Sequence, residues 1–233
     1  MIFENEVIDG ILRALYLIFT LDPEILNILS VSVRVSGMAV IFASLIALPL
    51  GSYIGLRYFR GKKFLTNILN TFMGFPPVIM GLFIYLILSR NGPFGFLGLL
   101  YSTTAMIISQ FLLAIPIIMG TTKAAIETVD PNLKETVISL GSSKYQLWWE
   151  LIKESKKSVI AGILIAFGQA ISEVGSVIIV GGNIRWYTRT FTTAIVFNTR
   201  MGEFGEAIAL GLILMIISFL LNYTLTHIQS RRD

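Results

Sequence analysis

The sequence predicts an all-α membrane protein with about five transmembrane helices, an N-terminal helix lying in the membrane interface, and a helical arm on the cytoplasmic side. Two observations carry that prediction. Of the 233 residues, 55% are hydrophobic and only 14% charged, with a mean hydropathy of +0.77, which is more apolar material than one soluble core of this length can hide. The apolar residues are also contiguous. Residues 35–56, 64–89, 100–122 and 207–226 contain no Asp, Glu, Lys or Arg, and each is long enough as a helix to cross roughly 30 Å of hydrocarbon.

The first element, 7–21, is too short to span easily and carries Asp9 and Arg13, while Ile8, Leu12, Leu15 and Phe19 share one helical face. This is the pattern of an amphipathic helix in the interface. The acidic start, Glu4 and Glu6 among the first six residues, predicts no cleavable leader. Spans follow at about 31–56, 64–89, 100–123, 158–182 and 205–228, all in a single transmembrane domain over 1–233, and a polar arm occupies 128–157. No internal repeat is evident.

Pro49, Pro76, Pro77 and Pro116 fall inside predicted spans, where each removes a backbone donor. The freed groups need partners in lipid, so the pair Pro76 and Pro77 marks either pathway lining or a structural kink. Gly51 and Gly55 form a small-xxx-small pair that permits close helix approach. In the arm, Asp130 can cap a helix that begins at Pro131, and Leu133, Val137 and Leu140 recur on one face before Gly141. After Ser142 and Ser143 the pattern resumes with Tyr145, Trp148, Leu151 and Ile152 as the chain returns to the interface. The expected shape is helix, glycine elbow, helix.

Grouping alternate loops places four Lys and Arg residues at 57–63, six from Lys123 to Lys157, and Arg231 with Arg232 on one side. The positive-inside rule makes that side cytoplasmic, so the N-terminus is expected outside and the C-terminus inside. The opposite set holds Arg13, Arg34, Arg90, Arg185, Arg189 and Arg200 together with Glu4, Glu6, Asp9, Asp22, Glu24, Glu203 and Glu206. A net charge of +4 is thus explained by topology, with no nucleic acid implied.

The arm resembles the cytoplasmic loop of binding-protein-dependent ABC permeases, whose motif reads Glu-Ala-Ala, three residues, Gly, nine residues, Ile-x-Leu-Pro. Glu135 and Gly141 match at the family spacing, whereas Thr136 and Val137 replace the alanines and Lys153-Glu154 stands in place of Leu-Pro. The resemblance implies a fold like that of type I ABC importer permeases. It also implies a coupling helix over 131–140 that docks into a separate ATPase subunit, with Glu135 facing that partner and Gly141 making the bend.

The likeness extends over roughly 30–228. Leu48-Pro49-Leu50-Gly51 closes the first span as in these permeases, and two stretches, Gly74-Phe75-Pro76-Pro77-Val78 and Ser89 to Leu100, are similar to the molybdate and tungstate branch, closest to its tungstate type. Ser172-Glu173-Val174-Gly175 resembles the Gly-Glu-Phe-Gly of molybdate permeases. Implied partners are two ATP-binding cassette ATPase subunits, an extracytoplasmic oxyanion-binding protein, a second copy of the chain and the bilayer of the cell membrane. No cofactor is implied. Other solutes, such as sulfate or an amino acid, remain open within the same class, and an ion-coupled secondary carrier is the alternative from another.

No Gly-x-x-x-x-Gly-Lys-Ser/Thr occurs, so hydrolysis is expected on another chain. The near miss from Gly55 to Lys62 has five intervening residues and Lys63 where a hydroxyl belongs, and reads as a basic anchor. Cysteine is absent, and no catalytic pair or metal set is recognised; His227 stands without a nearby acidic or His cluster. Glu173 is the one ionisable residue in the middle of a predicted span and must face protein or water. A structural hydrogen-bonding role is favoured over a place, with Gly175, at a gate. Arg34, Arg185, Arg189 and Arg200 could attract an anion or contact a binding protein or lipid phosphate; the contact readings are preferred.

Overall fold

A computed structural model describes residues 2–230, with side chains described for 6–220 and for Tyr223. Among the described residues it is helical throughout: α1 (Ile2–Phe19), α2 (Pro23–Leu56), α3 (Lys62–Met73), α4 (Pro77–Leu88), a short 3-10 turn (Gly95–Leu97), α5 (Thr103–Glu127), α6 (Pro131–Ser139), α7 (Lys144–Glu154), α8 (Lys156–Ile171), α9 (Gly175–Gly181), α10 (Phe191–Met201) and α11 (Phe204–Ser230). Among the described residues, α2 and α5 are long and apolar enough to cross a membrane unaided; α3 with α4 and α8 with α9 qualify as broken pairs, and α11 contributes the apolar stretch Phe204–Leu220. Large apolar side chains lie exposed along these helices, Leu45 at 68%, Phe64 at 71% and Phe219 at 68% among them. Such surface is stable in lipid and would aggregate in water.

Two predicted spans are interrupted. The 64–89 stretch breaks at 74–76 because Phe75 and Pro76 each precede a proline, and both are therefore pushed out of the helical region of backbone space. The 158–182 stretch breaks at 172–174, where a carboxylate captures the backbone donors of the next helix. Residues 183–203, read as a loop from sequence, contain α10. Its start is fixed by a reciprocal cap between Thr190 and Thr193, and its end by Gly202 in a left-handed conformation.

The chain forms two compact units. One comprises Met1–Gly37, Pro77–Ser109 and Ile171–Asp233; the other comprises Met38–Pro76 and Gln110–Ala170. In the first, α1 packs on α11 through its small face. A side chain at Gly10 would sit 2.7 Å from Ile208 Cγ2, and Ala14 and Leu17 join Ile28, Phe191, Ala209 and Leu210 in a core. The predicted apolar stripe of Ile8, Leu12, Leu15 and Phe19 faces away from the protein. The start of α2 repeats the aspartate–proline signal expected only for the arm, since Asp22 Oδ1 accepts the Glu24 N–H at 2.8 Å.

In the second unit, Val40, Ala43 and Ala47 of α2 pack with Ile117, Ile118, Leu69, Ala166 and Ala170. Gln110 donates its amide to the Ala170 carbonyl at 2.8 Å, satisfying a backbone group near the end of α8. The small-xxx-small pair does bring helices close. A Cβ on Gly51 would stand 2.6 Å from the Met119 carbonyl, and one on Gly55 3.0 Å from Ile126. Gly51→Val therefore has to separate α2 from α5. Overpacking of this kind costs ~1–3 kcal/mol, and the thermal midpoint of the purified protein is expected to fall by roughly 3–10 °C.

Candidate functional site

The arm begins where Asp130 accepts the Asn132 N–H at 2.8 Å and Pro131 opens α6. Leu133 and Val137 are half-buried, whereas Pro131 and Glu135 are exposed. Leu140 departs from the expected stripe. It lies beyond the last helical residue and is 81% exposed, beside Ile138 at 52%. Two aliphatic side chains thus stand out on an otherwise polar elbow. Gly141 turns the chain at φ +78°, a conformation costly for other residues, and Ser143 and Gln146 form a reciprocal cap on α7.

The root of the arm is tied down electrostatically. Lys134 Nζ donates to the Leu56 carbonyl at 3.4 Å and Lys62 Nζ to the Gly55 carbonyl at 3.2 Å, so two ammonium groups meet the carbonyl end of α2. Glu127 at the end of α5 pairs with Lys62 at 2.8 Å and Lys123 at 2.6 Å. A cleft of about 540 Å³ opens here, with Tyr58, Glu127, Pro131, Glu135 and Ile138 on its walls.

Within the other unit, the two helices that start at breaks pack together. Gly81 of α4 lies so near α9 that a Cβ would be 2.6 Å from Ser176 Cα, and Gly175 abuts Val78. Glu173 is 9% exposed. Its carboxylate accepts the Ser176 N–H at 3.0 Å, the Ser176 hydroxyl at 2.6 Å and the Val177 N–H at 3.2 Å, and its carbonyl accepts the Thr192 hydroxyl at 2.9 Å. Phe191 N–H donates to Ser32 Oγ at 3.1 Å. Glu173 therefore fills the start of α9 and links it to α10. Of the sequence-derived gate residues, Pro77, Glu173 and Gly175 fall in this unit; Pro76 is exposed and belongs to the other.

Sequence reasoning missed Ser176, Thr192 and Gly81. The run Thr190, Thr192, Thr193 offered a capping signal that the surrounding loop residues masked.

Acidic and basic groups of the first unit meet in a cleft of about 850 Å³ lined by Glu6, Asp9, Asp22, Glu24, Glu203 and Glu206 with Arg13, Arg185 and Arg189. Arg185 grips Glu24 with two bonds, 3.0 and 2.6 Å, and Arg189 adds a third at 3.1 Å. The bond to Glu24 and then its charge hold the Arg185 guanidinium above its ordinary pKa. Arg13 pairs with Glu206 at 2.9 Å. Of the four arginines considered for anion attraction, two thus share one carboxylate, which offsets one of their two charges, while Arg34 and Arg200 are exposed. The side chain of His227 lies outside the described residues, as do Arg231 and Arg232.

Apolar helices with two breaks, a buried carboxylate and a polar helical elbow define a helical protein of the membrane. The chain belongs to the family described as binding-protein-dependent transport system inner membrane component, whose profile matches residues 47–233. A component of this kind is the channel subunit of a transporter and is not itself an ATPase. The chain is 39% identical over 223 residues to the tungstate uptake system permease protein TupB of Peptoclostridium acidaminophilum, covering 96% of this chain and 98% of the relative. It is 37% identical over 226 residues to TupB of Campylobacter jejuni, covering 97% and 94%. Among solved structures, a bacterial alginate ABC transporter in complex with an alginate pentasaccharide-bound periplasmic protein matches with a TM-score of 0.70 at 18% identity, over 93% of this chain and 82% of that one. That likeness establishes the fold alone.

Proposed function

We propose that this chain is the permease of an ATP-driven importer that carries tungstate, with molybdate as the nearer alternative, after delivery by an extracytoplasmic binding protein. The observation that carries the reading is full-length similarity to two tungstate uptake permeases. Two copies enclose the pathway, and two ATPase subunits grip the α6 elbows through Ile138, Leu140 and Glu135, with Gly141 as the bend. The N-terminus lies outside and the C-terminus in the cytoplasm, in keeping with the basic loops.

On this reading the permease supplies passage rather than tight binding. The donors at the start of α9 are already taken by Glu173, so they do not offer a dianion a resting place. The acidic cleft, whose arginines are tied to Glu24 and Glu206, suits contact with a folded protein better than capture of a free anion.

The test is uptake into vesicles. Accumulation of tungstate is expected only when the permease, its ATPase, ATP and the binding protein are all present, and excess molybdate is expected to compete better than sulfate. Uphill uptake by the permease alone would refute the subunit assignment, and preferential sulfate uptake would refute the substrate.

A further inference from the structure

A second pocket near the arm has a different chemistry. It lies in one unit, between the end of α2 and the start of α7, and holds about 530 Å³. Arg57, Lys134 and Lys144 line it, and its lining contains no carboxylate; Tyr53, Leu147 and Trp148 supply apolar walls. Among the described residues none of the three cations pairs with an acidic side chain. Arg57 lies 5.2 Å from the Tyr53 ring centroid, and Lys134 donates to the Leu56 backbone carbonyl. Lys144 is the first residue of α7, at the positive end of the helix dipole, where a cation is disfavoured unless an anion is near.

The depth of the pocket indicates what kind of anion fits. The uncharged run of α2 ends at Leu56, one residue before Arg57, and Tyr53 sits one turn inside that run. One wall therefore belongs to the hydrocarbon edge and the other to the polar layer, with Trp148 at the level that indole rings favour. A free oxyanion has no use for the apolar wall. An amphiphile with a negative head matches both walls.

We propose that this pocket binds an anionic phospholipid, its phosphate among Arg57, Lys134 and Lys144 and its acyl chain against Tyr53, Leu147 and Trp148. Since Lys134 belongs to α6 and Lys144 to α7, a bound lipid joins both helices of the arm to α2.

The proposal can be tested without measuring transport. In a Trp149→Phe/Trp186→Phe background, Trp148 is the sole tryptophan of the chain. The permease–ATPase complex is placed in nanodiscs containing brominated phosphatidylglycerol or brominated phosphatidylcholine, and quenching of Trp148 is titrated. The expected result is a preference for phosphatidylglycerol of roughly fivefold or more. It should fall to about one in Arg57→Gln/Lys144→Gln and persist in the charge-keeping Arg57→Lys/Lys144→Arg. Equal quenching by both lipids, or a preference that survives loss of both charges, would overturn it. Protection of Trp148 from both lipids would also overturn it, assigning the pocket to acidic side chains of the ATPase instead.

Discussion

Glu173→Ala is expected to cost the protein most of its fold stability, with the thermal midpoint falling by on the order of 10 °C. The substitution strips partners from two backbone N–H groups and one hydroxyl, all in buried residues, and each orphaned donor costs ~1–3 kcal/mol. The start of α9 would unwind, and Gly81 and Gly175 would lose the fixed surface they pack against. Glu173→Gln removes the charge at a smaller structural cost: its amide oxygen still accepts the Ser176 N–H and its NH₂ can donate to the Ser176 hydroxyl, but the Val177 N–H loses its acceptor, a loss of ~1–3 kcal/mol. Full assembly and uptake are expected for Gln. Normal assembly with abolished uptake would show that the charge itself, beyond its hydrogen bonds, serves the transport cycle.

Much of this arrangement was legible in the sequence, and for definite reasons. Residues 35–56 and 100–122 read as spans because an uncharged run of that length has few other uses, and α2 and α5 contain them. Asp130, Pro131 and Gly141 marked the arm because each occupies a position where local backbone chemistry, not distant packing, decides. Gly51 and Gly55 suggested close approach, and α5 supplies it. The breaks were harder. Pro76 and Pro77 announced an interruption, but at 172–174 there is no proline, and only a side chain folding back onto its own next turn ends α8. Periodicity cannot distinguish a continuous helix from one whose N–H groups have been diverted to a carboxylate.

The tertiary pairings were not legible at all. That Arg185 and Arg189 share Glu24 across more than 160 positions depends on the fold, and the pairing ties up two of the arginines for which charge counting had left contact with a protein or lipid phosphate, or attraction of an anion, as readings. Burial of α1 against α11 through Gly10, Ala14 and Leu17 was hidden for a similar reason. Its more conspicuous face, from Ile8 to Phe19, is the one left outside.

Replacing the two exposed aliphatics of the elbow, Ile138→Glu with Leu140→Glu, is expected to abolish ATP-driven uptake while leaving the isolated permease intact. Both side chains project from the end of α6, 52% and 81% exposed, so the folded chain loses little by their removal, and the thermal midpoint should stay within about 2 °C of the parent. A partner that covers them gains ~1.5–3 kcal/mol for each, and introduced carboxylates would have to be desolvated as well. The affinity of the ATPase subunit should therefore fall by about a hundredfold or more, measurable by co-purification or light scattering of the complex. The half-buried pair Leu133 and Val137 provides the contrast, since polar replacement there should lower stability first. If the double variant retained a stable complex and normal uptake, the ATPase would have to grip another surface, and the elbow would be an ordinary bend in the chain.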